Sequence, residues 1–263
     1  MQNDFKINEH IYRRTMPFKD IFTTVYVLKA PDGVILFDTA SYASDVDAYI
    51  VPLLQELGIT SEMLKYVLIS HNHGDHAGGL VRFMELYPDT CILSRAPALK
   101  EAYAQYQVVC PEEGDVLLDT FWVVPIPGHT MDSCALLDQR SMTLITGDCF
   151  QLHGILGSGD WASNISYPTL HLEAVEKVRA LGVTQIVTAH DYEPCGYRAV
   201  GAEQVSRMLD ACVEPLERLK KMILENPDLD DAGIREKFST HEGRLSIRLA
   251  VVAAMRKTLQ QNG

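Results

Sequence analysis

Residues 70–79, Ser-His-Asn-His-Gly-Asp-His-Ala-Gly-Gly, gather three imidazoles and a carboxylate into six positions: His71, His73, Asp75 and His76. Neutral imidazole and carboxylate are the donors that suit zinc and other first-row divalent metals. A polar turn with histidines merely capping a helix is a poor account of four potential ligands packed this closely. Residues 66–70 read as a short buried strand, and residues 80–87 carry apolar side chains at helical spacing. The four donors therefore fall on a strand-to-helix turn, at the carboxyl end of a strand, where α/β folds commonly place their sites. Alternation along the strand end lets His71 and His73 point the same way. Gly74 lets the chain turn before Asp75 and His76 open the helix.

The elements that must position further donors follow in order. Residues 21–28 and 34–37 read as two strands around a Pro31-Asp32-Gly33 turn, and the second runs into Asp38. Asp38 is either a helix cap or a group that orients a metal ligand. A helix is predicted from residues 44–47 to a stop at Gly58. A strand over 91–94 and a helix over 96–105 come after the histidine-rich turn. Three later strands, 121–126, 142–145 and 185–188, each lead into a candidate ligand, respectively His129, Asp148 and His190. Singly these read as a loop histidine, a helix cap and a surface residue; as a series behind strands they form a set. A strand over 134–137 and a helix over 170–181 complete this region. From Gly201 the pattern is helix alone, with Val205, Met208, Leu209, Cys212, Leu216, Leu219 and Ile223 as an apolar stripe that Pro215 is expected to kink. Asn226-Pro227 breaks it, and helices over 229–238 and 243–259 follow. His10 and His241 stand outside any motif and read as surface residues.

His-x-His-x-Asp-His resembles the signature of the metallo-β-lactamase-fold superfamily, and Pro127-Gly-His-Thr130 and Gly147-Asp148 are similar to its later motifs. The resemblance covers about residues 5–197. It implies an α/β chain folded as an αβ/βα four-layer sandwich, with a catalytic domain over 1–198 and a helical C-terminal extension over 199–263. It also implies two metal positions: His71, His73 and His129 at the first, Asp75, His76 and His190 at the second, with Asp148 bridging. Two Zn2+ are the expected cofactors, with iron or manganese as alternatives, sharing a hydroxide that attacks a carbonyl or phosphoryl centre. Asp38 then falls among the groups that orient the ligands. Asp75 and Asp148 belong to the catalytic centre, and Tyr192 is a candidate donor to an oxyanion or leaving group, a structural hydroxyl being the alternative. The long polar-aromatic loop 150–167 offers His153, Trp161 and Tyr167 to a substrate pocket.

The same resemblance spans many chemistries. A bridging Asp148 argues against true β-lactamases, and His73 in place of a glutamate argues against the di-iron flavoprotein branch. Gln151 stands where acyl-homoserine lactonases carry a tyrosine. The expected activity is that of a dinuclear hydrolase of a small ester, thioester or lactone. The rivals are a mononuclear-iron persulfide dioxygenase using His71, His129 and Asp148, a phosphodiesterase or ribonuclease, and a non-catalytic metal-binding protein.

Composition narrows the partners. A formal net charge of -12 over 263 residues disfavours a nucleic-acid surface and favours a small-molecule substrate, with a homo-oligomer compatible. No apolar run reaches the length of a membrane span, and the N-terminus has no basic, apolar leader. Six scattered cysteines without a Cys-x-x-Cys pair are expected to be reduced thiols in a cytoplasmic protein.

Overall fold

The computed structural model of the chain describes residues 5–19, 21–150, 165–191, 196–242 and 247–262. The chain falls into two compact units, one of Met1–Pro125 with Cys134–Arg140 and one of Ile126–Ser133 with Ser141–Gly263.

The first unit opens with β1 (Ile11–Phe18), β2 (Ile21–Ala30) and β3 (Gly33–Phe37). A helix follows, as α1 (Ala43–Asp45), a π-helical stretch Val46–Ile50, and α2 (Val51–Glu56). Then come β4 (Leu64–Ile69), α3 (Gly74–Ala77), α4 (Leu80–Leu86), β5 (Cys91–Ser94), α5 (Pro97–Ala102) and β6 (Val108–Val109). β7 (Val116–Leu117), β8 (Phe121–Pro125) and β9 (Cys134–Asp138) form an antiparallel meander. The second unit contains β10 (Thr143–Ile145), α6 (Pro168–Leu181), β11 (Gln185–Val187), β12 (Arg198–Val200), α7 (Gly201–Glu225), α8 (Asp231–Glu242) and α9 (Leu249–Asn262).

Two mixed six-stranded sheets result, in the orders β1-β2-β3-β4-β5-β6 and β12-β11-β10-β9-β8-β7. With helices around them they match the αβ/βα sandwich expected from the motifs. All five residues of β3 are buried, as are Val67, Leu68 and Ile69 of β4, the continuous apolar runs of strands covered on both faces. β3, β4 and β5 are parallel, and parallel neighbours need crossover connections. The crossover from β4 to β5 is the histidine-rich turn with α3 and α4, so the fold itself puts that turn at the carboxyl end of β4. α4 is anchored by Leu80, Phe83 and Met84, which join a core with Leu36, Val67 and Ile92. α6 plays the same part between the parallel β10 and β11.

Several elements differ from the sequence expectation. β1 was not foreseen, because its buried positions include Arg13 and it carries Pro17. It is an edge strand, where proline is tolerated. β6, β7 and β12 are too short to leave a periodic signal. α5 ends at Ala102, short of the expected 105, and the last helix begins at Leu249 rather than 243. α7 runs through Pro215, which lacks the N–H that would bond the carbonyl of Ala211. α7, α8 and α9 bury Leu216, Leu219, Phe238, Val251 and Val252 in a core of their own with Ile165. Among the described residues no helix is long and apolar enough to cross a membrane.

Candidate metal centre

The turn after β4 brings its donors together at short range. Nε2 of the buried His71 lies 3.0 Å from Nδ1 of the exposed His73. Two imidazole nitrogens at that distance either share a proton or face a common cation. Oδ2 of Asp75 lies 3.5 Å from Nε2 of the fully buried His76. The backbone of α3 is clamped from below. Thr39 donates to the His76 carbonyl through its N–H at 2.7 Å and its hydroxyl at 3.0 Å, and the Thr23 hydroxyl donates to the Asp75 carbonyl at 3.0 Å. Gly78 and Gly79 allow this approach, since a Cβ there would lie 2.0 Å from the Ser41 carbonyl and 2.1 Å from that of Thr39.

Beneath the ligands lies Asp38, buried at the end of β3. Its Oδ1 accepts the Ser70 N–H at 2.7 Å; its Oδ2 accepts the Ser70 hydroxyl at 2.8 Å and faces His76 Nδ1 at 2.8 Å. Burial pushes its carboxyl above the usual range, while His76 and the two Ser70 donors pull it down. Asp38 and Ala40 adopt φ of +66° and +60°, left-handed values that cost non-glycine residues on the order of 1–3 kcal/mol each. Such strain persists where surrounding bonds fix the chain, here Asp38 N–H to the Leu68 carbonyl at 2.8 Å and the Thr39 bond just described.

In the second unit His129, Asp148 and His190 are all buried, each just past a strand. Asp148 presents one oxygen to each histidine: Oδ2 lies 3.7 Å from His129 Nε2 and Oδ1 lies 3.3 Å from His190 Nε2. A carboxylate so placed can serve two cations at once. The three segments are tied by the Cys149 thiol to the Ile126 carbonyl at 3.0 Å and by Ala189 N–H to the Gly147 carbonyl at 3.2 Å. The His129 loop is seated on α6, where the N–H groups of Ser166 and Tyr167 both donate to the Gly128 carbonyl at 2.9 Å. A Cβ on Gly128 would lie 2.8 Å from His171, so only glycine fits that contact.

His171 is buried, and among the described residues neither ring nitrogen has a hydrogen-bond partner. Burial, helped by His129 nearby, pushes its imidazole from an ordinary 6.5 down to about 3. The unfolded chain therefore takes up this proton first as the pH falls. The neutral ring's contribution to stability is complete above pH 6.5 and is lost progressively down to about 3. Denaturant unfolding of the metal-free protein from about pH 7 to about 4.5, inside that window, should show a loss of stability that His171→Leu reduces. Equal slopes in the two proteins would contradict a buried neutral His171.

The candidate ligands are therefore His71, His73, Asp75 and His76 in the first unit and His129, Asp148 and His190 in the second. These are the seven residues expected from the sequence. Tyr167 is exposed at the N-terminus of α6. His153, Trp161 and Tyr192 lie outside the described residues. Sequence reasoning passed over Ser70, Thr23, Thr39 and His171. Only Ser70 carried a signal, its place directly before the first ligand.

The family model described as the Metallo-beta-lactamase superfamily matches residues 19–190. A "Beta-lactamase-like protein 2 homolog" of Caenorhabditis elegans is 25% identical over 256 residues, 93% of this chain and 80% of its own. A "Hydroxyacylglutathione hydrolase" of Francisella philomiragia is 31% identical over 137 residues, 49% of this chain and 50% of that one. Among solved structures, a metallo-beta-lactamase family protein from Thermus thermophilus aligns at a TM-score of 0.64 and 19% identity. That alignment covers 98% of this chain and 95% of the other, a likeness of fold.

Proposed function

The chain belongs to the metallo-beta-lactamase superfamily, and from that premise we propose that it is a dinuclear zinc hydrolase of a small ester, thioester or lactone. The observation that carries the reading is Asp148, with one oxygen toward His129 and the other toward His190. The donors fit the metal: neutral nitrogens and carboxylates, largely buried. His71, His73 and His129 would hold one ion; Asp75, His76 and His190 would hold the other, with Asp148 serving both. When bound, such a pair supplies a hydroxide near neutral pH and polarises the oxygen under attack. The chain's own contribution is to fix these donors. The threonine clamps hold α3, Asp38 orients His76, and the seat on α6 holds the His129 loop. Two carboxylates do not neutralise two divalent cations, so the centre stays electropositive inside an acidic protein and draws a carbonyl or anionic group.

The relative named a hydroxyacylglutathione hydrolase supports acyl chemistry, although the chain spans only half of it. The net charge of -12 weighs against a long polyanion such as RNA. Six scattered cysteines without a Cys-x-x-Cys pair support action in the reducing cytoplasm. Elemental analysis after gentle purification should give about two zinc per chain, as a dinuclear site requires. In a panel of esters, thioesters, lactones, β-lactams and structured RNA, a small acyl compound should turn over fastest. One tightly held iron with oxygen-dependent turnover of a persulfide, or RNA outpacing every acyl compound, would overturn the proposal.

A further inference from the structure

We propose that Ser70 is a positioning residue whose hydroxyl fixes the proton of His71 on Nδ1 and so keeps Nε2 free to bind metal. This rests on the dinuclear reading above and adds to it a residue outside the ligand set. The Ser70 hydroxyl donates to Asp38 Oδ2 at 2.8 Å. A serine hydroxyl has one proton, so toward His71 Nδ1, 3.1 Å away, it can only accept. His71 must then donate from Nδ1, and its lone pair is on Nε2, the nitrogen that lies 3.0 Å from His73 Nδ1. The orientation of the Ser70 hydroxyl is in turn set by its own backbone, because Asp38 Oδ1 is held by the Ser70 N–H at 2.7 Å. Asp38 also faces His76 Nδ1 at 2.8 Å. One buried carboxylate thus sets the tautomers of two ligands assigned to different metals, that of His76 directly and that of His71 through Ser70. A partner that fixes the tautomer and ring orientation of a ligating histidine typically contributes about 10–100-fold in metal affinity.

The test is made on the full chain. In 15N-labelled, metal-free protein, long-range 1H–15N spectra should show His71 as the Nδ1–H tautomer, and Ser70→Ala should give a mixture with the Nε2–H form. Chelator competition should show one zinc, the one assigned to His71, His73 and His129, weakened about 10–100-fold in Ser70→Ala. Ser70→Thr and Ser70→Val differ only in a hydroxyl for a methyl, so the threonine should restore both readouts and the valine neither. That pair keeps the test open if alanine impairs folding. Retention of a pure Nδ1–H tautomer together with full zinc affinity in the alanine and valine variants would overturn the role of Ser70. Failure of the wild type to bind zinc would instead sink the metallohydrolase reading, and the tautomer measurement would still decide on Ser70.

Discussion

Asp148→Asn should leave the fold intact and lower kcat/KM for the best acyl substrate by about 10^3-fold, the scale of losing a preorganised electrostatic group at a reacting centre. The expectation follows from what each oxygen faces. Oδ1 lies 3.3 Å from His190 Nε2 and Oδ2 lies 3.7 Å from His129 Nε2, so the carboxylate divides its charge between two histidines assigned to different metals. Asparagine keeps the shape, but it supplies one neutral oxygen and one NH2 group. That NH2 would point at a histidine nitrogen whose lone pair is needed for metal, and would donate a hydrogen bond to it. One position loses its anionic donor and has its imidazole occupied; both lose the negative charge that screens the cations from each other. Elemental analysis should show metal falling well below two per chain, while far-UV circular dichroism stays unchanged. His10, by contrast, sits before β1 and belongs to neither ligand group, so His10→Ala should alter neither metal nor turnover. Full metal and full turnover in Asp148→Asn, or equal losses in the two variants, would show that the bridging assignment is wrong.

How much of this centre was legible in the sequence depends on how local each residue's task is. His71, His73, Asp75 and His76 are contiguous and lie between a strand and a helix of ordinary pattern, so spacing alone exposed them. His129, Asp148 and His190 were legible because each follows a run of apolar strand residues, and strand ends are where such folds gather donors. Thr23 and Thr39 were not, since their hydroxyls matter only once residues 39–41 and α3 approach closely enough to require Gly78 and Gly79. His171 reads in sequence as one residue of α6. Its ring is buried where the Gly128 loop approaches it too closely for any residue but glycine. β1 was hidden for a related reason: a buried Arg13 and Pro17 break the alternating pattern, and pairing with β2 from Ile11–Leu28 to Phe18–Ile21 overrides it.

Asp38→Asn should weaken the binding of both zinc ions, one through His76 and the other through Ser70 and His71, and the effect follows from hydrogen-bond direction. The native carboxylate faces three donors: the Ser70 N–H, the Ser70 hydroxyl and His76 Nδ1. An asparagine there has one acceptor oxygen and two N–H donors, so it cannot serve all three. If its oxygen takes the Ser70 N–H, its NH2 faces His76 Nδ1. The imidazole must then offer a lone pair at Nδ1 and carry its proton on Nε2. Nε2 is the nitrogen that lies 3.5 Å from Asp75 Oδ2, the side on which His76 would bind metal, and a proton there blocks it. If the amide flips, the Ser70 N–H is left facing an NH2 group in a buried site, which costs about 1–3 kcal/mol. Either arrangement disables His76 or destabilises the turn that carries it. In the first arrangement the same NH2 faces the Ser70 hydroxyl, which can then only accept from it and turns its proton toward His71 Nδ1, so the position His71 shares with His73 and His129 should be weakened as well. Chelator competition followed equivalent by equivalent should therefore show each zinc weakened by about 10–100-fold. Asp38→Glu, which keeps the charge but lengthens the side chain, should recover part of that affinity if charge is what matters and none if hydrogen-bond placement is. Weakening of only one zinc by Asp38→Asn would mean that Asp38 acts on a single ligand rather than on His76 and, through Ser70, on His71.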